Sequence, residues 1–156
     1  MPTTTRIDEL AGRVGSRLGT SDWVAVTQEA VDAFADVTGD HQWIHTDPQL
    51  AAASPFGGTI AHGYFTLSLA PALLQYVLPL DGFALAVNYG LDRLRFPAPL
   101  LVGDRVRMSV ALDAVEPIAG GAALSLTLTF EAAGGGKPVC VASVIYRVYE
   151  HDEDQS

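Results

Sequence analysis

The second half of the chain alternates apolar and polar residues with a period of two, and this pattern constrains the fold more than any other feature. Four strand-like runs, separated by turns rich in glycine or proline, occupy residues 83–96, 104–116, 122–132 and 138–149. The alternation is clearest in the third run, where Leu124, Leu126, Leu128 and Phe130 alternate with Ser125, Thr127 and Thr129. The pattern predicts an antiparallel meander with one face turned inward.

A long apolar segment at residues 64–78 precedes these runs and predicts a buried central helix. Pro71 within it removes one backbone hydrogen bond and is expected to bend the helix, which should end before Gly82. A sheet of four or five strands packs economically on one apolar helix only by curling around it. We therefore expect an α+β fold with a single domain over residues 1–149, followed by an acidic tail at residues 150–156.

Shorter elements are expected nearer the start of the chain. Apolar residues recur at helical spacing over residues 6–18, and a second helix would follow a Thr27 cap and stop at Gly39. Residues 39–48 are too polar and too poorly periodic for a core element, so they predict an ordered loop. Within it, Asp47-Pro48 resembles the cap and first residue of a further short helix.

The charge and cysteine content limit the kinds of binding partner and the cellular compartment that we expect. The 156 residues include nine basic and eighteen acidic ones, a formal net charge of −9, which repels phosphate backbones and anionic lipid. We therefore expect neither a nucleic-acid nor a membrane partner, and no stretch approaches the roughly 20 apolar residues of a spanning helix. The single cysteine, Cys140, cannot form an internal disulfide, which fits a soluble protein of the reducing cytoplasm.

Three of the four histidines, His41, His45 and His62, fall in a short polar region together with Asp40 and Asp47. On one interpretation, the aspartates are turn and cap residues and the histidines are surface or satisfied core groups. On the other, Asp40 and His45 point into a cleft and hold one water molecule as an acid/base pair, because histidine titrates near neutral pH and a carboxylate can orient its partner. The spacing alone leaves both interpretations open.

The same side chains include possible metal ligands. A His-x-x-x-His pair such as His41 and His45 converges on one face only in a helix, and this loop has no helical pattern. We therefore expect no metal, and no other cofactor.

The segment from Ile60 to Gly63 has a logic of its own. If the long helix begins there, its first N–H groups lack intrahelical acceptors and carry the positive end of the helix dipole, which suits a developing oxyanion. Gly63 is the expected donor, because the absent Cβ lets a substrate carbonyl approach the backbone. Alternatively, Gly63 only permits tight packing of helix and sheet, and His62 is a capping or core histidine.

These residues resemble a known family. Asp40-x-x-x-x-His45 with Asp47-Pro48, followed by Ile60-Ala61-His62-Gly63, is similar to the motif of MaoC-like, (R)-specific enoyl-CoA hydratases (hydratase 2) of the hotdog fold, and closest to their nodulation-protein-N-like branch. The similarity covers about residues 20–149, including Arg95-Phe96-Pro97-Ala98-Pro99. The resemblance implies (R)-specific hydration of trans-2-enoyl-CoA, with Asp40 and His45 as the catalytic pair, the Gly63 amide on the thioester carbonyl, and a homodimer.

The chain departs from the family where Gln42 and Trp43 replace the more common Asn-Pro. Gln42 can still supply an amide to the substrate, although its longer stem and the missing proline could alter the loop. Other candidates for substrate binding are His62, and Tyr64 and Ser68 at the start of the long helix, whose placement core packing explains equally well. Arg95 could meet the phosphates of coenzyme A, or it could be an edge charge that resists aggregation.

Two rival functions share this scaffold. A thioesterase of the hotdog fold usually needs an acidic residue near the central helix, and residues 63–79 contain no Asp or Glu. A noncatalytic acyl-thioester-binding or dehydratase partner subunit is the second rival, and the presence of both Asp40 and His45 argues against it. The sequence leaves open which of Asp40 and His45 is the base, the acyl chain length, and whether an acyl-carrier protein replaces coenzyme A.

Overall fold

The computed structural model describes residues 4–151, in which a curled antiparallel sheet packs on two short consecutive helices. The strands are β1 Thr5–Arg6, β2 Arg17–Thr20, β3 Val24–Ala25, β4 Leu80–Asp81, β5 Phe83–Arg95, β6 Arg105–Ile118, β7 Gly121–Ala132 and β8 Cys140–Glu150. The helices are a 3-10 helix at Ile7–Arg13, then α1 Gln28–Thr38, α2 Trp43–Thr46, α3 Pro48–Ala52, α4 Gly63–Ser68 and α5 Ala70–Val77.

The four long strands form the predicted meander and supply most of the core. The six-stranded sheet has the order β2-β6-β7-β8-β5, with β3 also paired to β6, and all of these pairs are antiparallel. In β7 every second side chain, from Ala122 to Phe130, is buried, while the hydroxylated residues between them are half-buried on the other face. The predicted α+β fold and the predicted alternation in β7 are therefore confirmed.

The predicted central helix is two helices rather than one. Helix α4 ends at Ser68 and α5 begins at Ala70, because Pro71 has no N–H with which to bond the carbonyl of Leu67. The prediction of a buried helix is also only half right. One side, including Thr66 and Leu73, is buried against the sheet, while side chains on the opposite side are open to solvent in the single chain.

The predicted helix over residues 6–18 is wrong beyond Arg13. The 3-10 helix buries Ile7 and Leu10 as expected, but Gly15 then adopts a positive φ of 86° and its N–H bonds to Leu112 of β6. The chain continues as β2, so pairing with a distant strand outweighs the local helical pattern.

The prediction for α1 is confirmed at both ends. The Thr27 hydroxyl accepts a hydrogen bond from Ala30 N at 3.1 Å, and Gly39 takes the left-handed conformation, with φ of 80°, that ends the helix. Asp47 caps α3 as expected, accepting from Gln49 N and Leu50 N. The predicted loop at residues 39–48 differs from expectation, because it contains the one-turn helix α2.

The predicted acidic tail begins inside the sheet, because Glu150 is the last residue of β8 and pairs with Phe83. The rest of that prediction, from Asp152 onward, lies outside the described residues. Within residues 4–151, no helix has the length and apolar character needed to cross a membrane.

Candidate active site

His45 is held in one orientation by its surroundings. It is buried in α2, and its Nδ1 lies 2.7 Å from the carbonyl oxygen of Ile60. A carbonyl oxygen only accepts hydrogen bonds, so Nδ1 carries a proton, and in the neutral ring the lone pair is at Nε2.

Asp40 lies beside this histidine at the end of the turn that follows α1. Its carboxylate accepts from the backbone N–H of Gln42 at 3.4 Å, and its own N–H donates to the hydroxyl of Thr38. The Asp40 side chain is about half exposed, at 54%. Single ligating atoms of Asp40, His45 and His62 all lie within 4.8 Å of one another, so the structure brings the predicted pair together.

His62 packs directly on His45. Their rings are stacked with centroids 3.8 Å apart and an angle of 24° between planes, and the Phe34 ring lies 4.9 Å from that of His62. The Nε2–H of His62 donates to the backbone carbonyl of Asp40 at 3.0 Å. Its Nδ1 is buried and has no hydrogen-bond partner among the described residues. His62 therefore contacts both members of the predicted pair.

The geometry of these three residues does not favour a metal ion, although their atoms are close enough to consider one. The two stacked imidazoles lie in planes only 24° apart, whereas the ligands of one ion must converge on it. One nitrogen of each ring, Nδ1 of His45 and Nε2 of His62, is bonded to a backbone carbonyl, which leaves one nitrogen per ring for any other partner. The arrangement suits proton transfer better than coordination.

Gly63 begins α4, so its N–H has no acceptor within the helix. A Cβ on this residue would lie 2.7 Å from Cε2 of the Phe96 ring, closer than real Cβ contacts. Gly63 and His45 line one cavity of about 300 Å³, which Phe56 and Phe96 also border. The missing Cβ of Gly63 therefore makes room for the Phe96 ring, and Gly63 itself borders the cavity. Asp40 is not among the residues that line it.

The remaining candidates are more dispersed. Gln42 is exposed and precedes α2, where its backbone carbonyl accepts the N–H of His45. Tyr64 is exposed on α4 and contacts Phe96 edge to face at 6.0 Å. Ser68 borders a second cavity of about 410 Å³ between α4 and β5, and its hydroxyl donates to the carbonyl of Tyr64.

Arg95 lies away from the His45 cavity. It pairs with Val141 of β8, which sits between the buried Cys140 and Ala142 and therefore faces outward. The Arg95 guanidinium donates to the carbonyl of Leu94. The structure thus places Arg95 on the outer face of the sheet, apart from the cavity that Gly63 and His45 line.

Sequence reasoning missed three residues that shape the site. Gln28 donates a hydrogen bond to the backbone carbonyl of His45, and Thr59 donates one to Gln28. The Phe96 ring covers Gly63. Phe96 stood in the family motif without a role, while no local pattern marks Gln28 or Thr59, because their contacts come from distant parts of the chain.

A curled antiparallel sheet over a helical layer, with an Asp/His pair beside a helix start, defines a hotdog-fold protein of the hydratase type. The chain belongs to the family described as the MaoC like domain, which matches residues 9–129. It is 50% identical over 148 residues to 3-hydroxyacyl-thioester dehydratase Z of Mycobacterium tuberculosis, covering 94% of this chain and 98% of that protein.

Further relatives place the chain within this family. Nodulation protein N of Rhizobium leguminosarum is 50% identical over 101 residues, covering 64% of this chain and 63% of that protein. The (R)-specific enoyl-CoA hydratase of Aeromonas caviae is 34% identical over 118 residues, covering 74% and 81%. The solved (R)-hydratase of A. caviae superimposes with a TM-score of 0.70 at 28% identity, over 85% of this chain and 94% of that one. These matches confirm the family resemblance and the hotdog fold.

Proposed function

We propose that this protein is a lyase that hydrates trans-2-enoyl-CoA to (R)-3-hydroxyacyl-CoA and catalyses the reverse dehydration. The relatives named as dehydratases and hydratases support the reaction class. The observation that carries the proposal is the 2.7 Å contact between Nδ1 of His45 and the carbonyl of Ile60. Because this contact occupies the Nδ1 proton and leaves Nε2 of the neutral ring able to accept one, His45 can act as a base towards a water molecule.

In the proposed mechanism, Asp40 and His45 grip one water. Nε2 of His45 accepts a proton from it while the oxygen adds to C3 of the enoyl thioester. Negative charge then develops on the thioester oxygen, which the Gly63 N–H stabilises. Nε2 of His45 then delivers the same proton to C2, so that the elements of one water add across the double bond. Asp40 orients the water through its second hydrogen.

For substrate binding, the thioester occupies the cavity of about 300 Å³ beside Gly63. The acyl chain would follow α4 past Tyr64 towards Ser68 and the second cavity. His62 does not line this cavity but stacks on His45, so we assign it to the support of the site behind His45, and Gln42 to the rim. Arg95 is retained as a candidate for the coenzyme A phosphates only at the outer edge of β5, because its side chain faces outward.

A homodimer forms part of this proposal. Strand β5 is an edge strand of 13 residues and is exposed along most of its length, including four large apolar side chains: Leu85, Val87, Tyr89 and Leu91. A long apolar edge left open would invite aggregation, so a second copy of the chain is the occupant that we propose. We also expect one domain over residues 1–149 and a cytoplasmic location, in keeping with the single free thiol of Cys140.

The test incubates the purified protein with a short trans-2-enoyl-CoA and follows both the conjugated absorbance and free thiol. Loss of absorbance without thiol release supports hydration, and chiral analysis of the product must give the (R) alcohol. Thiol release would instead identify a thioesterase. Neither signal, with both 2-enoyl-CoA and the carrier-protein thioester, would favour the noncatalytic binding or partner-subunit alternative.

A further inference from the structure

The helix that carries His45 has no stability of its own. Helix α2 is a single turn of four residues, Trp43–Thr46, and isolated helices of that length do not persist in water. Carbonyl groups in the last turn of a helix also lack intrahelical N–H donors, and the carbonyl of His45 is one of these groups. The orientation of His45 must therefore be set by groups outside α2.

Gln28, the first residue of α1, supplies one of these groups. Its Nε2 donates to the carbonyl of His45 at 2.7 Å and to Oδ1 of Asp32 at 2.9 Å. Both of these partners only accept hydrogen bonds, so the nitrogen of the amide must face them. Its Oε1 in turn accepts from the hydroxyl of Thr59 at 2.6 Å. Three hydrogen bonds thus fix the Gln28 side chain.

Thr59 connects this amide to the other side of His45. It is buried, and it directly precedes Ile60, whose carbonyl accepts from Nδ1 of His45. Ile60 N also donates to the carbonyl of Ile44 at 3.0 Å. Gln28 therefore joins the backbone of the histidine to the segment that holds its ring.

We propose that Gln28 is a positioning residue for hydration, which keeps Nε2 of His45 directed at the water shared with Asp40. This inference rests on the proposed function, because it concerns the same histidine. Gln28 does not touch the reacting atoms; it acts through the carbonyl of His45 and through Thr59.

The principal variant is Gln28→Glu, which keeps the shape and the acceptor for Thr59 but replaces the donor to His45 with a carboxylate oxygen. Gln28→Met removes all three hydrogen bonds without adding charge, and it decides the question if the Glu variant does not fold. The matched control is Gln49→Glu on α3, where the side chain is exposed. We expect kcat to fall by about tenfold to a hundredfold in both Gln28 variants, the scale on which small displacements of a site act.

Two further readouts separate positioning from general destabilisation. KM should stay within about threefold of the wild-type value, since the lost interaction acts on the transition state rather than on binding. The Nδ1–H proton signal of His45 in NMR, assigned by its absence in His45→Gln, should shift or broaden in the Gln28 variants and not in Gln49→Glu.

The possible outcomes distinguish a failure of the positioning role of Gln28 from a failure of the proposed hydratase function. A wild-type protein without hydratase activity overturns the proposed function, and the NMR comparison still decides whether Gln28 orients His45. Wild-type hydration together with unchanged kcat and an unchanged His45 signal in folded Gln28→Met overturns the positioning role alone.

Discussion

The imidazole rings of His45 and His62 lie face to face, with centroids 3.8 Å apart, and His62 also donates a hydrogen bond to the backbone carbonyl of Asp40. One histidine therefore contacts the ring of the proposed base and the backbone of its proposed partner. The remaining nitrogen of His62, Nδ1, is buried without a partner among residues 4–151. A substitution of His62 should consequently change activity without an equal change in the free energy of unfolding.

We expect His62→Phe to lower kcat by about tenfold, equivalent to about 1.4 kcal/mol of transition-state free energy, because Asp40 loses its anchor. The stacked ring is kept. Loss of one hydrogen bond costs about 1 kcal/mol, and removal of a buried unpartnered nitrogen offsets about 1–3 kcal/mol, so the free energy of unfolding should change little. Steady-state kinetics and urea denaturation measure the two effects. His41→Phe, at an exposed histidine of the same loop, is the control, and equal kcat in both variants contradicts the role.

Asp40→Asn and His45→Gln should each reduce turnover of enoyl-CoA by about 10² to 10⁴-fold, the usual contribution of a general acid or base. Circular dichroism should show that both variants remain folded. Asp36→Asn, at an exposed carboxylate close to His41, is the matched control for the first change. Wild-type turnover in both folded variants would remove the pair from the mechanism.

Gly63→Ala should be destabilising because the new methyl group would lie 2.7–2.9 Å from three ring carbons of Phe96. In a Phe96→Ala background the space is free, so the same change should cost about 1 kcal/mol less in the free energy of unfolding, as expected for residues in direct contact. Denaturation of the four proteins of the double-mutant cycle measures this coupling. At Gly58, where the nearest atom is a methyl of Leu101 at 3.9 Å, alanine should have little effect. A coupling of zero would mean that the ring moves away freely.

Leu91→Asp should convert the proposed homodimer into monomers. Leu91 is 45% exposed on β5 in the single chain, and a buried carboxylate at an interface without a partner is costly. Light scattering after size exclusion gives the mass directly. Leu50→Asp, at a similarly exposed leucine of α3, should leave the dimer intact. A monomeric wild type, or a dimer that survives Leu91→Asp, would refute the β5 interface.

Alkaline pH should destabilise the fold through two buried groups. Burial raises the pKa of Cys140 from 9.0 to about 12 and that of Tyr146 from 10.0 to about 12. The native state therefore holds both protons where the unfolded chain releases them, so the free energy of unfolding is highest below pH 9 and falls as the pH rises towards 12. Urea denaturation across this range measures the slope. Cys140→Ala should flatten its onset, and an unchanged slope would show that the thiol does not contribute.

Much of the fold could be predicted because its signals are local. The alternation that marks β7 is a property of consecutive residues, and the caps of α1 and α3 need only Thr27, Gly39 and Asp47. The errors lie where distant pairing decides. Residues 17 and 18 begin β2 because β6 offers this strand hydrogen bonds, although the local pattern over residues 6–18 favours a helix.

The same distinction applies to the candidate site. Asp40, His45 and Gly63 belong to a recognisable sequence motif, so they could be proposed as site residues from the sequence. The contact of Gln28 with His45 spans 17 residues and that with Thr59 spans 31. Periodicity in the sequence reveals only local structure, so it predicts neither contact. The outward direction of Arg95 follows from its register against β8, which the sequence of β5 alone does not specify.

The brevity of α2 has a consequence for how the protein matures. Since a single helical turn is unstable alone, we expect α2 to form only after α1 and the segment at Thr59 and Ile60 are in place to bond its peptide groups. We therefore expect catalytic activity to appear late in folding. A chain with a complete sheet but without these hydrogen bonds to α2 would have the overall shape of the protein and no activity.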